Sequence, residues 1–225
     1  MIDFSGCPVN RFRAYGGANG NKINISYQGH SYMLKFPPRP SRNKMLSYTN
    51  SCISEYVACH IFEMLGFKVQ ETLLGNFDRH NGNWGLLVDE QAQSAEIAPI
   101  YDCGSCLYPQ LDLERMAEVL KSQEEIDRRI YVFPASSIEE HGVKIPYYDF
   151  ISSHRYPECS DALKRISARI DLDAIQNFLE EISELQPVQR EFYLTILTER
   201  KEKILDHSLH LMMEREQRHV PEMKM

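Results

Sequence analysis

No stretch of the 225 residues approaches the run of about 18 uncharged apolar positions that a membrane-spanning helix requires. Residues 1–13 lack the basic end and unbroken apolar stretch of a secretory signal, so the cytoplasm is the expected location. Positive charge is also in short supply. Lys and Arg number 25 against 32 Asp and Glu, a net charge of −7, which removes the broad cationic field of a non-specific nucleic-acid binder. No direct nucleic-acid binding is expected, and no membrane partner. The six cysteines, Cys7, Cys52, Cys59, Cys103, Cys106 and Cys159, are scattered through a chain long enough to build a core without staples, and read as reduced thiols. Cys103 and Cys106 form a Cys-x-x-Cys, but the second half of a closed zinc pattern is missing. Internal repeats and low-complexity linkers are absent as well.

What is present reads as an α+β chain. Residues 11–15, 22–28 and 31–36 are short β-prone runs, separated by Gly-Gly-Ala-Asn-Gly-Asn at 16–21 and by Gln-Gly-His at 28–30, as in consecutive antiparallel strands. Over residues 49–65, Ile53, Val57, Ala58, Ile61, Phe62 and Leu65 recur at helical spacing, and Gly66 follows where a helix ends. Residues 67–74 predict another strand. A hairpin is expected from 84–88 and 97–101, then a helix over 111–129. Asp171 is placed to cap a helix bearing Ile175, Phe178, Leu179 and Ile182. After Pro187 a longer helix turns Leu194, Leu197, Ile204, Leu205, Leu209 and Met212 inward and leaves the charged run 199–203 in water; the tail beyond His219 should fray.

Chemistry concentrates in Asn-Phe-Asp-Arg-His-Asn-Gly-Asn at 76–83 and Tyr-Asp-Cys-Gly at 101–104. Phosphoryl transfer needs a carboxylate beside the attacking hydroxyl and oxygen ligands for the Mg²⁺ that neutralises charge on the phosphates. Protein kinases place an Asp five residues before a metal-binding Asn, and later present an Asp followed by one residue and a Gly. Asp78 and Asn83 have that spacing, and Asp102-Cys103-Gly104 has that form. Upstream come a glycine turn containing Gly16, Gly17, Asn19 and Gly20, then Lys35 at a strand end and Glu55 on the next helix. The turn's backbone N–H groups are suited to phosphates, Lys35 to the same charge, and Glu55 to holding the ammonium. Taken singly, a glycine turn or a strand lysine says little; the ordered set carries the reading.

These residues make the sequence resemble the HipA-like serine/threonine kinase family. The likeness runs through Tyr-Gly-Gly-Ala-Asn-Gly at 15–20, Tyr-Met-Leu-Lys-Phe-Pro at 32–37, Asn-Phe-Asp-Arg-His-Asn-Gly-Asn-Trp-Gly at 76–85 and Pro-Ile-Tyr-Asp-Cys-Gly-Ser at 99–105. Residues 147–152 and 162–205 look like the family's C-terminal helical region. The resemblance implies a two-lobe protein-kinase-like fold, with a nucleotide-binding lobe over residues 1–74 and a mainly helical catalytic lobe over 75–225. It implies ATP and Mg²⁺ as cofactors and a protein Ser or Thr as substrate. By motif position Asp78 is the catalytic base, Asn83 and Asp102 are the metal ligands, and Lys35 is the phosphate-binding lysine.

The sequence departs from the family between residues 74 and 76. Further strands, the interlobe hinge and several helices normally lie there, whereas Leu74-Gly75 runs straight into Asn76. Six extended residues span at most about 20 Å, which keeps Glu71 and Asp78 close. An internally shortened kinase is expected to bind nucleotide weakly and to expose part of the large lobe's core, which a regulatory protein or second chain would cover. Two other readings follow. One is a non-catalytic nucleotide- or protein-binding relative. The other, a metal-dependent phosphoesterase, starts from Asp78 and His80 as Asp-x-His but lacks the later ligand motifs. Within the kinase reading His80 holds the loop by hydrogen bonds and Trp84 is core. The glycine turn contains no Ser or Thr, so no phosphorylation is expected there.

Overall fold

Lys22–Tyr27 (β1) and His30–Lys35 (β2) pair antiparallel, with Lys22 opposite Lys35 and Tyr27 opposite His30. Gln28 and Gly29 turn between them at φ +48° and +80°, the left-handed pair that matches a two-residue loop to strand twist. The computed structural model of the chain describes residues 3–11, 22–38, 40, 42, 48–65, 71–78, 83, 85–89, 91, 93–98, 100–133 and 138–218. On the other edge of β1, Asn10 N donates to Asn24 O at 2.8 Å and Ser26 N to Pro8 O at 3.0 Å. Pairing thus falls at Val9 opposite Ile25, ahead of the strand expected at 11–15. Arg11 already lies in a turn, and residues 12–15 are outside the described set.

Ser51–Leu65 (α1) buries Val57, Ala58, Ile61, Phe62 and Leu65 as its spacing predicts, while Ile53 is only partly buried and Ser54 lies on the buried face instead. Its start is pinned by Asn50, whose Nδ2 donates to Leu111 O at 2.8 Å. The strand expected over 67–74 is overturned in its described part: Glu71–Leu74 is a short helix (α2). Leu73 and Leu74 are adjacent and both buried, which an alternating strand with one buried face does not allow. Gly75, at φ +61°, then turns the chain out of the helix.

Leu86–Asp89 (β3) and Ser94–Ile97 (β4) form the expected hairpin with shifted limits, Leu86 opposite Ile97, and Tyr101 has already left the sheet. The single helix expected over 111–129 is two, Leu113–Leu120 (α3) and Gln123–Asp127 (α4). Asp112 caps the first by accepting from Arg115 N at 2.9 Å, and Ser122 caps the second by accepting from Glu125 N at 3.3 Å. A wider turn over Arg128–Val132 follows, closed by Phe133 N donating to Arg128 O at 2.8 Å.

The minimal hairpin of Glu139–Glu140 (β5) and Val143–Lys144 (β6) leads into Tyr147–Ser152 (α5) and Pro157–Ser167 (α6). Asp171 caps Leu172–Glu181 (α7) as expected, its Oδ1 accepting from Ala174 N at 2.9 Å. Pro187–Arg200 (α8), a wide-turned segment Lys201–Asp206 and His207–Arg218 (α9) make the long helix after Pro187. Leu197, Ile204, Leu205 and Met212 are buried as predicted. The charged run 199–203 is not wholly solvated, because Arg200 is only 1% exposed. One apolar cluster joins α1, α2, the 103–111 segment, α3 and α7 to α8. Among the described residues no helix is long and apolar enough to cross a membrane.

Candidate active site

The end of β2 delivers Lys35 to the side of α1. Its Nζ donates to Glu55 Oε2 at 2.5 Å and to Asp102 Oδ1 at 3.1 Å, so three residues far apart in sequence meet at one ammonium. Glu55 is available because α1 turns its neighbour Ser54 into the core and leaves the next position half-buried at the edge. Asp102 is at φ +57°, in the left-handed region that Asp tolerates better than most side chains. Beyond it Cys103 is fully buried, which fixes the turn from behind. A Cβ on Gly104 would lie 3.3 Å from Lys35 Nζ and 3.4 Å from Ser51 O. The glycine of the Asp-x-Gly is where a side chain would crowd the lysine head and the first turn of α1. Burial works against the Lys35 charge, but the Glu55 and Asp102 carboxylates outweigh it and hold the ammonium above the ordinary lysine range.

Asp78 and Asn83 meet in a second group. Asn83 Nδ2 donates to the Asp78 carbonyl at 2.9 Å, and Asp78 N donates to Asn76 Oδ1 at 3.2 Å, an Asx turn. The Tyr147 hydroxyl donates to the Asn76 carbonyl. Tyr48 lies in the Asp78 field, and burial, reinforced by that carboxylate, pushes its phenol up. The two groups are tied through the backbone: Leu107 N, just past the Asp-x-Gly turn, donates to Leu74 O at 3.1 Å, just before the Asp78 loop.

Asn83 and Asp102 offer oxygen donors of the kind Mg²⁺ takes, and Mg²⁺ is commonly held by one or two protein ligands together with substrate phosphates. No group of three His, Cys, Asp or Glu is assembled among the described residues, so a closed all-protein cage is not what this donor set resembles. Gly16, Gly17, Asn19 and Gly20, with His80 and Trp84, lie outside the described residues. The six cysteines are free thiols, with Cys103 and Cys106 buried in the apolar cluster.

Sequence reasoning missed Asn76, Tyr147 and Arg200. The first was legible, since an Asn two residues ahead of a loop Asp is an Asx-turn signal. The other two arrive from distant helices and carry no local signature.

No protein-family model matches the chain. It is 38% identical over 281 residues to the serine/threonine-protein kinase CtkA of Helicobacter pylori, an alignment covering 91% of this chain and 86% of that protein. The crystal structure of a Helicobacter pylori proinflammatory kinase CtkA superposes with a TM-score of 0.85 at 36% identity, over 96% of this chain and 98% of that one. The match shows a two-lobe kinase-like α+β fold. The chain belongs to the HipA-like serine/threonine-protein kinase family.

Proposed function

We propose that this chain transfers the γ-phosphoryl group of ATP to a serine or threonine hydroxyl of a protein substrate, with Asp78 as the base that accepts the hydroxyl proton. When bound, ATP with Mg²⁺ supplies the transferable group and neutralises its charge. Asn83 spends its Nδ2 on the Asp78 carbonyl, which makes Oδ1 the atom it offers a cation. Asp102 is the second metal ligand, its side chain 42% exposed beside Lys35. Lys35 draws the phosphates, and Glu55 keeps the ammonium in place. Gly16, Gly17, Asn19 and Gly20, outside the described residues, are the proposed source of backbone N–H groups for the phosphates. The observation that carries this reading is the bridge from Lys35 to both Glu55 and Asp102.

In this reading residues 1–74 are the nucleotide-binding lobe and 75–225 the catalytic lobe, with the connection between them shortened. Two observations support the shortening. The alignment to the Helicobacter relative extends over 281 residues, more than the chain contains. Leu86, Leu87 and Val88 on the β3 edge are 55%, 58% and 65% exposed, apolar surface that a fuller lobe, a second chain or a regulatory protein would cover. Each lost hinge hydrogen bond to adenine costs about 1 kcal/mol, so ATP should bind about 5- to 30-fold more weakly if one or two are missing. The same shortening favours a second reading, a relative that binds nucleotide without turnover.

Labelled-phosphate transfer and Mg²⁺-dependent ATP stabilisation, measured on wild type and Asp78→Ala, separate the two. The kinase reading predicts that ATP stabilises both proteins while transfer falls about 100-fold or more in the variant. Stabilisation of wild type without transfer supports the second reading, and equal transfer by both proteins removes Asp78 from its role.

A further inference from the structure

We infer that Tyr147, seated on the buried Arg200, is a positioning residue that fixes the Asp78 loop through the backbone of Asn76. The inference rests on the proposed role of Asp78. Asn76 is fully buried and is gripped from two sides: its carbonyl accepts from the Tyr147 hydroxyl, and its Oδ1 accepts from Asp78 N at 3.2 Å. Asn83 takes the Asp78 carbonyl at 2.9 Å. Both faces of the Asp78 peptide backbone are therefore set, and the side-chain torsions remain to aim the carboxylate. The Asn76 Nδ2 is buried with no partner among the described residues. Such an orphan donor costs stability, and the same amide's Oδ1 is what holds Asp78.

Arg200 anchors the segment from below. Its Nε donates to Thr72 O at 2.7 Å and its Nη1 to Arg129 O at 2.9 Å, while its guanidinium carbon lies 5.6 Å from the Tyr147 ring centroid. Tyr147 and Arg200 thus take carbonyls at 76 and 72, two fixed points on the stretch that leads into the loop. The described partners of this buried cation are backbone carbonyls and aromatic rings. A cation over the face of a phenol also draws density from its oxygen and strengthens the hydroxyl as a donor. A small displacement of a reacting group costs rate steeply, so a clamp on Asn76, two residues before Asp78, acts on turnover more than on nucleotide binding.

Tyr147→Phe keeps the ring and its contact with Arg200 and removes only the hydroxyl. The expected result is a kcat lowered about 10-fold, with the KM for ATP within about twofold of wild type. Amide hydrogen exchange should quicken at Phe77 and Asp78 and stay unchanged along α8. Exchange is read whether or not the purified chain turns over, so the test does not depend on activity. Wild-type exchange at Phe77 and Asp78 overturns the proposal, as does an equal rise in α8, which marks general loosening. Asp78→Asn is assayed in parallel. If it transfers at the wild-type rate, the role of Asp78 itself has failed, and the clamp loses its object.

Discussion

At Lys35 three influences compete, and their balance decides how the site responds to pH. Desolvation disfavours the ammonium, while Glu55 and Asp102 favour it more strongly, so the folded-state pKa lies above the unfolded value. A raised pKa contributes stability in full below the unfolded value of about 10.4, and the contribution fades only as pH rises through the folded one. Lys35 therefore stays charged throughout the neutral range. The stabilisation that ATP gives in thermal unfolding should show no Lys35-derived loss between about pH 7 and 9, whereas Lys35→Met should weaken it at every pH in that window. Order and spacing single out Lys35, Glu55, Asp78, Asn83 and Asp102 in the sequence, and the structure gathers them into two groups, Lys35 with Glu55 and Asp102, and Asp78 with Asn83. The left-handed φ of Asp102 and the closeness of Gly104 to Lys35 were not, because both follow from the approach of β2, α1 and the 101–106 turn in three dimensions.

Helices and strands were readable where a chemical punctuation mark stood at the right place. Asp171 ahead of an apolar stripe gave α7, and Asp171→Ala should lower unfolding stability by about 1 kcal/mol, read as a shift in the denaturation midpoint with unchanged slope. Where two marks competed, the pattern misled. Asp112 and Ser122 each cap a helix start, so a stretch with continuous helical periodicity became two helices. Of residues 71–74 only Thr72 favours a strand, while Glu71, Leu73 and Leu74 are good helix formers, and burial of both leucines with the grip of Arg200 on Thr72 O favours a helical turn. Arg200 shows the limit of reading charge from a sequence. Its neighbours Glu199 and Lys203 pair near the surface at 2.6 Å, while Arg200 points the other way into carbonyl acceptors that lie far away in sequence.

Across the whole molecule, one apolar cluster spans the helix that carries Glu55 and the helices that support Asp78, so disturbing either end of the core should reach the site. The β3 strand lies outside that cluster, with Leu86, Leu87 and Val88 in water. Leu87→Glu should reduce concentration-dependent association in light scattering and leave thermal stability nearly unchanged, since an exposed substitution typically moves it by no more than about 0.5 kcal/mol. Unchanged association would separate that surface from any self-contact. In the proposed kinase, Asn83 and Asp102 hold Mg²⁺ against a nucleotide beside Lys35. Calorimetric titration of ATP, with and without Mg²⁺, into wild type and Asp102→Ala tests it most directly. Mg²⁺ should strengthen ATP binding to wild type and leave binding to the variant unchanged; the same Mg²⁺ enhancement in both proteins would remove Asp102 from its role.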